Sequence, residues 1–318
     1  MSLLKRINPF SRQNDNTGFG TNPNGYGGRF INRDGSFNIR REGRPFWDRF
    51  NVYHMLLNLP AWKFACVILL FFICINLLYT GVYWIIGTEE FQGIIGKTVW
   101  NRFKEVFFFS TETFTTVGYG RVNPIGDGAN MVAAFEAMSG FLSFAVATGL
   151  IYGRFSKPKA HLVFSDDALI GPYKDITGLM FRFASYKDNH TLTNVDVLVT
   201  LGLQVQENGA SVYKFYNLPL ERGKIETLSM NWTVVHPIDE NSPLLGFSAA
   251  DMESADVEVY VLVRGFNDVY ANTVLQRTSY TYQEIRHNRK FVPMYRESDN
   301  GKTTVLELHH LNKSMATE

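Results

Sequence analysis

The sequence predicts a membrane α-helical unit joined to an all-β domain. Three observations carry this. Two apolar runs, residues 64–86 and 129–152, are each long enough to cross a bilayer. A shorter, more polar stretch lies between them and holds Thr116-Val117-Gly118-Tyr119-Gly120. From about residue 160 the pattern turns to period-2 alternation with β-branched residues, broken by turn signals such as Glu207-Asn208-Gly209 and Asp299-Asn300-Gly301.

A chain of 318 residues has room for more than one unit. Its net charge of +1 leaves no nucleic-acid footprint, so no nucleic-acid partner is expected. Many of its 26 phenylalanines crowd into residues 62–155, as interfacial and packing aromatics would. Cys66 and Cys74 both fall in the first apolar run, so they read as small buried hydrophobes rather than a disulfide. No early apolar core with a small-residue cleavage site is visible, so no signal peptide is expected.

Residues 1–28 are rich in Gly and Asn and read as mobile. In 29–44, Arg29 to Gly35 reads as a short strand entering an Asp-Gly turn, suited to adding an edge strand to a later sheet. Over 45–62, Phe46, Trp47, Phe50, His54 and Leu57 recur at helical spacing, with Pro45 in the first turn. That is an amphipathic helix in the membrane interface; an ordinary surface helix on a soluble core stays open.

Residues 63–155 form the transmembrane unit. The first span, 64–86, carries no charge, and Tyr83 and Trp84 close it as interface anchors. Residues 100–113 then have helical character and lead into Thr116–Gly120, giving a re-entrant helix and loop over 100–120. Such non-helical backbone survives at membrane depth only where protein or water surrounds it. The helix's C-terminal end directs a negative dipole toward the loop, which favours a cation there. The second span, 129–152, has one charge, Glu136, and a candidate flexion point at Gly140. Basic residues flank the spans on the outer sides of the pair, while the connecting loop is nearly balanced. Both termini are therefore expected to be cytoplasmic in a multi-pass protein. Residues 156–318 read as a cytoplasmic β-sandwich or barrel.

The string Thr116–Gly120 resembles that of potassium-selective filters. Physical chemistry explains why it suits the task. Its glycines reach positive φ without a steric penalty, so successive carbonyls can turn toward one axis and replace the water of a dehydrated cation. One copy supplies a quarter of a ring, which implies four chains. A chance strand-turn is the alternative, and the position between two spans argues against it.

Phe107 to Thr113 before the filter, Ala147 to Phe155 after it, His236-Pro237-Ile238-Asp239-Glu240-Asn241-Ser242-Pro243-Leu244 and Arg277 to Tyr280 extend the match. On these residues the chain resembles the prokaryotic inward-rectifier potassium channels, from about residue 29 to near the C-terminus. The resemblance implies a homotetramer in the bacterial inner membrane that conducts K+ passively, with no enzymatic turnover and no cofactor. It also implies an immunoglobulin-like cytoplasmic domain that extends the pore, and regulation by lipids. No cysteine pair flanks the pore loop, in keeping with the prokaryotic branch. Phe144 stands where strongly rectifying members carry an acid, so weak rectification is expected. Arg121 stands where many potassium channels carry Asp, and is expected to pair with Glu112 and brace the filter.

The remaining candidates keep two readings each. Glu112 braces the filter or takes part in conduction. Glu136 faces the pore loop in support of the filter, or merely packs. Phe144, Thr148 and Tyr152 share a face at i, i+4, i+8, as a pore lining with Tyr152 as gate, or as a lipid-facing stripe. Arg49, Arg154, Lys157 and Lys159 bind anionic lipids or phosphoinositides, or only enforce topology. His309-His310 has no Cys or acidic ligand spacing to support it, so no metal beyond K+ at the filter is expected. A two-span channel gated by a ligand at the β domain, and a membrane-anchored β-domain adaptor, are the competing functions.

Overall fold

The computed structural model describes residues 8, 11, 13–14, 29–43, 45, 51–188, 190–207 and 210–317. The chain divides into two compact units. One comprises Glu42–Lys157, the other Met1–Arg41 with Pro158–Glu318.

In the first unit, α1 (Val52–Asn58) opens with Asn51, whose side chain accepts from the His54 amide. Leu59 and Pro60 end it, and α2 (Ala61–Ile86) starts at once. The interfacial helix expected over 45–62 is thus shorter among the described residues. Proline has no N–H to donate and restricts the residue before it, so the helix stops and Trp62 joins the next element. The expected positions 46–50, Arg49 included, lie outside the described residues. Strand β1 (Phe91–Gln92) pairs antiparallel with β2 (Asn123–Pro124), closing a clasp around the intervening loop. Within it α3 (Val99–Phe114) starts at Thr98, whose hydroxyl accepts from the Asn101 amide. Helix α4 (Asp127–Phe155) completes the unit.

Helices α2 and α4 are long and apolar enough to cross a membrane. They extend the expected spans to 26 and 29 residues, or about 39 and 44 Å at the helical rise. Where they meet α3, Tyr83, Phe91 and Phe109 form an edge-to-face trio with centroids 5.2–5.4 Å apart. Cys66 and Cys74 face outward from α2 rather than into a core.

The second unit is a β-sandwich. In one sheet β10 (Glu258–Asn267) lies between β11 (Asn272–Thr281) and the long β6 (Leu192–Glu207). The other edge of β6 is shared by β7 (Ala210–Asn217) and β8 (Lys224–Leu228). In the second sheet β5 (Ile176–Ser185) pairs with β3 (Leu162–Phe164), β4 (Ala168–Tyr173) and β9 (Asn231–Ile238). Strand β12 (Ile285–His287) joins β4 in parallel. Alternate residues face the core: Val195, Val197, Val199, Leu201, Leu203 and Val205 of β6, and Val259, Val261 and Val263 of β10. A short helix, α5 (Ala249–Ser254), starts with a capping box between Ser248 and Asp251.

The C-terminal stretch forms two small antiparallel pairs, β13 (Arg289–Phe291) with β16 (Ser314–Ala316) and, between them in the chain, the hairpin of β14 (Tyr295–Glu297) with β15 (Thr304–Leu306). Arg182, only 1 % exposed, organises it. Its guanidinium donates to the carbonyls of Val292 (2.7 Å), Leu311 (2.6 Å), Lys313 (3.1 Å) and His310, and lies 4.3 Å from the Phe291 ring centre. Burial lowers its pKa to about 10, so it stays charged at neutral pH.

Residues 29–38 do not add a ladder strand to either sheet. They close a local turn through one Ile31–Phe37 bridge and dock by side chains. Glu258 accepts from the Phe30 and Ile31 amides, and Arg29 and Arg33 both reach Glu284. Burial raises the Glu284 carboxyl, but Arg29, the Thr281 amide and Arg33 together outweigh it and hold it below the ordinary carboxylate range. Within the stretch expected to be mobile, Asn8 and Asn14 also dock on this unit, through the Ser242 carbonyl and Phe215 carbonyl.

Candidate ion-conduction site

The backbone of Thr116–Gly120, the candidate filter, alternates in hand. Thr116, Gly118 and Gly120 have φ of +60°, +53° and +79°, while Val117 and Tyr119 between them do not enter the positive region. A uniform strand points successive carbonyls to opposite sides. Alternating hand turns them to the same side. Two of the three positive positions are glycine, which adopts this conformation freely. Thr116 holds it at a cost of roughly 1–2 kcal/mol.

The pore helix fixes which side that is. The amides of Val117 and Gly118 donate to the Glu112 carbonyl at 2.9 and 3.2 Å, and the Thr116 amide to the Thr113 carbonyl at 3.0 Å. With the N–H groups tied back to α3, the carbonyls of Thr116 to Tyr119 receive no hydrogen bond among the described residues. Backbone carbonyls in this condition need another positive partner. The Gly120 carbonyl differs: it accepts from Asn123 Nδ2 at 2.9 Å. All five filter residues are exposed in the single chain, Tyr119 to 80 %.

Behind the filter, Glu136 is fully buried at the junction of three helices. The Tyr83 hydroxyl of α2 donates to it at 2.5 Å, and the Ser110 hydroxyl of α3 donates to its other oxygen. Ser110 also lies 3.1 Å from the Asn76 side chain. Glu136 thus lies against α2 and α3, and its two carboxyl oxygens are met by two hydroxyls rather than a cation.

Arg121 and Glu112 do not pair. Arg121 reaches Glu105 at 3.4 Å instead. Glu105 lies seven residues before Glu112 along α3, about 10 Å of helix, and the loop leaving the filter returns alongside that earlier turn. The other oxygen of Glu105 accepts from the Ile95 and Gly96 amides at 2.9 and 3.3 Å. The half-buried Glu112 side chain has no hydrogen-bond or ion-pair partner among the described residues. Its carbonyl, not its carboxylate, is what meets Val117 and Gly118.

Gly140 is a contact before it is a flexion point. A Cβ there would lie 1.9 Å from the Phe114 carbonyl oxygen at the end of α3. α4 runs unbroken through it. Further along, Phe144 and Tyr152 are 74 % and 72 % exposed, and the Thr148 hydroxyl donates back to the Phe144 carbonyl at 2.9 Å.

Arg154, expected among the lipid-binding cations, is engaged inside the unit. It donates to the carbonyls of Leu56 (2.7 Å) and Leu59 (2.8 Å), and sits 4.5 Å from the Phe64 ring centre. These carbonyls are left unpaired by the end of α1, and a cation there also meets the negative end of the helix dipole. Lys157 donates to Asn58 Oδ1 at 2.5 Å and is otherwise exposed, as is Lys159.

Sequence reasoning missed Tyr83, Ser110, Glu105 and Asn123. Tyr83 was read as an interface anchor, yet Asn76, Thr80 and Tyr83 are all fully buried. Their spacing of i, i+4, i+7 is a polar stripe on one face of an apolar span, and that was the available signal.

The family profile "Inward rectifier potassium channel C-terminal domain" matches residues 162–318, and the profile "Ion channel" matches 67–157. The chain is 32 % identical over 277 residues to inward rectifier potassium channel Kirbac3.1 of Paramagnetospirillum magnetotacticum, covering 86 % of this chain and 92 % of that protein. It is 25 % identical to ATP-sensitive inward rectifier potassium channel 12 of Gallus gallus, over 93 % of this chain and 77 % of the relative. The Bos taurus protein of the same name is 26 % identical, over 86 % and 68 %.

Proposed function

The chain belongs to the inward rectifier potassium channel family, and from that membership we propose that it forms a homotetrameric, potassium-selective pore through the backbone of Thr116–Gly120. It is a membrane channel protein and not an enzyme. The observation that carries the proposal is the alternation of positive φ at Thr116, Gly118 and Gly120, with the Val117 and Gly118 amides tied to the Glu112 carbonyl. Four such columns around an axis replace the hydration shell of K+.

Several finer roles follow from this reading. Phe144, Thr148 and Tyr152 line the path below the filter, and Tyr152 forms an aromatic constriction that can close by dewetting. Gly140 couples the two: bending of α4 there displaces the Phe114 carbonyl and, through α3, the filter. Glu136 supports the filter by locking α3 to α2 and α4. Glu112 and Arg121 support it as well, the former through its carbonyl and the latter through Glu105. Both termini lie on the cytoplasmic side of a bacterial inner membrane. Lys157 and Lys159 meet anionic lipid headgroups, each worth about 1 kcal/mol near such a surface. Arg49 joins them in this reading, whereas Arg154 serves mainly to hold α1. Phe144 offers no carboxylate to a blocking polyvalent cation, so rectification is weak.

Planar-bilayer recording of the purified chain under K+ on one side and Na+ on the other tests the proposal. The expected reversal potential lies strongly toward the K+ equilibrium value. A reversal near zero overturns the selectivity assignment. Phe144→Asp is expected to add sensitivity to polyamine block, and unchanged block overturns the placement of Phe144 on the path.

A further inference from the structure

We propose that Glu307, His309 and His310 form a binding site for a divalent transition-metal ion, with Zn2+ the best-matched candidate. The adjacent histidines looked unsupported in sequence because no acidic partner was evident. The fold supplies one. Ligand atoms of the three side chains all lie within 4.8 Å of one another. His310 Nδ1 is 3.0 Å from Glu307 Oε2, and the two imidazole centres are 4.3 Å apart.

Two features distinguish this from a chance surface cluster. The first is that the turn carrying it is fixed from behind. Residues Leu308–His310 form a single 3-10 turn, in which the His310 amide donates to the Glu307 carbonyl at 2.9 Å. The buried Arg182 clamps the His310 and Leu311 carbonyls, and the Glu307 amide donates to Met294 at 2.7 Å. Little conformational freedom is left to be lost when an ion arrives.

The second is the state of the donor atoms. His310 Nδ1 is buried and makes no hydrogen bond among the described residues, although a carboxylate oxygen is 3.0 Å away. A close pair of lone-pair donors that misses hydrogen-bond geometry is what neighbouring ligands of one ion look like. Arg296 holds the other Glu307 oxygen at 3.2 Å, which orients the carboxylate as an outer partner of a metal ligand does. Lys313 Nζ lies 3.4 Å from His310 Nε2, on the far edge of the ring from Nδ1. Two imidazoles and a carboxylate suit Zn2+, Co2+ or Ni2+, with water completing the shell; hard ions such as Mg2+ prefer an all-oxygen set.

The test is titration of the tag-free, detergent-solubilised full chain with Zn2+ by calorimetry, and with Co2+ by ligand-field absorption. One equivalent per chain is expected. His309→Ala changes an exposed residue outside the Arg182 network and is expected to weaken binding by about tenfold or more. Glu307→Gln is expected to weaken it comparably, while His161→Ala, in a separate histidine-tyrosine cluster, leaves this equivalent unchanged. Absence of binding at about 100 μM Zn2+, where a site of micromolar Kd would be filled, overturns the proposal. So does binding that His309→Ala leaves intact.

Discussion

The Tyr83 hydroxyl donates a 2.5 Å hydrogen bond to the buried carboxylate of Glu136, joining α2 to α4 directly behind the pore helix. Ser110 supplies the second donor from α3. Tyr83→Phe removes one of two donors to a fully buried acid and is expected to cost about 1–3 kcal/mol. Glu136→Gln is expected to be milder than Glu136→Ala, since an amide oxygen still accepts a hydroxyl. Thermal midpoints of the detergent-solubilised chain check both orderings, and a Tyr83→Phe midpoint equal to the parent's contradicts the brace.

Glu105 is expected to matter more than Arg121. Their ion pair is long at 3.4 Å and Arg121 is half exposed, so Arg121→Ala should cost no more than about 1 kcal/mol. Glu105→Ala also frees the Ile95 and Gly96 amides, and should loosen the loop that carries β1. Hydrogen exchange at residues 91–98 reads the difference. Equal protection in the two variants would contradict it.

Gly140→Ala and Gly149→Ala separate contact from flexibility. A methyl at Gly140 collides with the Phe114 carbonyl, whereas among the described residues nothing lies within 4 Å of one at Gly149. Gly149→Ala is expected to be neutral, or to stiffen the helix by up to about 1 kcal/mol. Gly140→Ala should impair assembly or conduction. Ion flux and gel-filtration profiles of the two variants decide, and a fully active Gly140→Ala would show that the close approach is dispensable.

Acid should destabilise the β-sandwich through His236. This side chain is 2 % exposed; its Nδ1–H donates to the Pro219 carbonyl at 2.6 Å, and Nε2 accepts from Ser242 at 2.8 Å. Burial lowers its pKa below the ordinary 6.5, with the Pro219 carbonyl and Asp239 opposing in part. The folded state therefore binds the proton more weakly than the unfolded state. Stability from this group is complete above about pH 6.5 and falls as pH drops below it. His236→Asn keeps a donor for Pro219 and should flatten the thermal midpoint between pH 7.5 and pH 5.5, relative to the parent. An unchanged slope assigns the acid sensitivity elsewhere.

What could be read in advance follows from which forces are local. Hydropathy marked both spans, and period-2 alternation marked β6 and β10, because burial on one face is written directly into residue order. The string from His236 to Ser242 was visible only as a resemblance; the structure gives its physical content, an imidazole locked to a hydroxyl six residues on. Pro60 marks the end of the interfacial helix in the sequence; that the break comes there rather than at Trp62 depends on α2 starting at once. The partners of Arg121 and Arg154 were not legible. Each depends on where a loop or a second helix returns, and a charge alone does not say whether it meets a carboxylate, a carbonyl or a lipid. Glu307 was likewise hidden beside His309 and His310 until the C-terminal turn fixed its direction.

Rubidium uptake into K+-loaded liposomes, with Na+ as competitor, reads the selectivity of Thr116–Gly120 itself. Concentrative 86Rb+ uptake is expected that excess external Na+ leaves nearly unchanged, and that is lost when Gly118→Ala blocks the positive φ at the centre of this stretch. Uptake that Na+ suppresses as effectively as K+, or that survives Gly118→Ala unaltered, would contradict a selective path through the carbonyls of Thr116–Gly120.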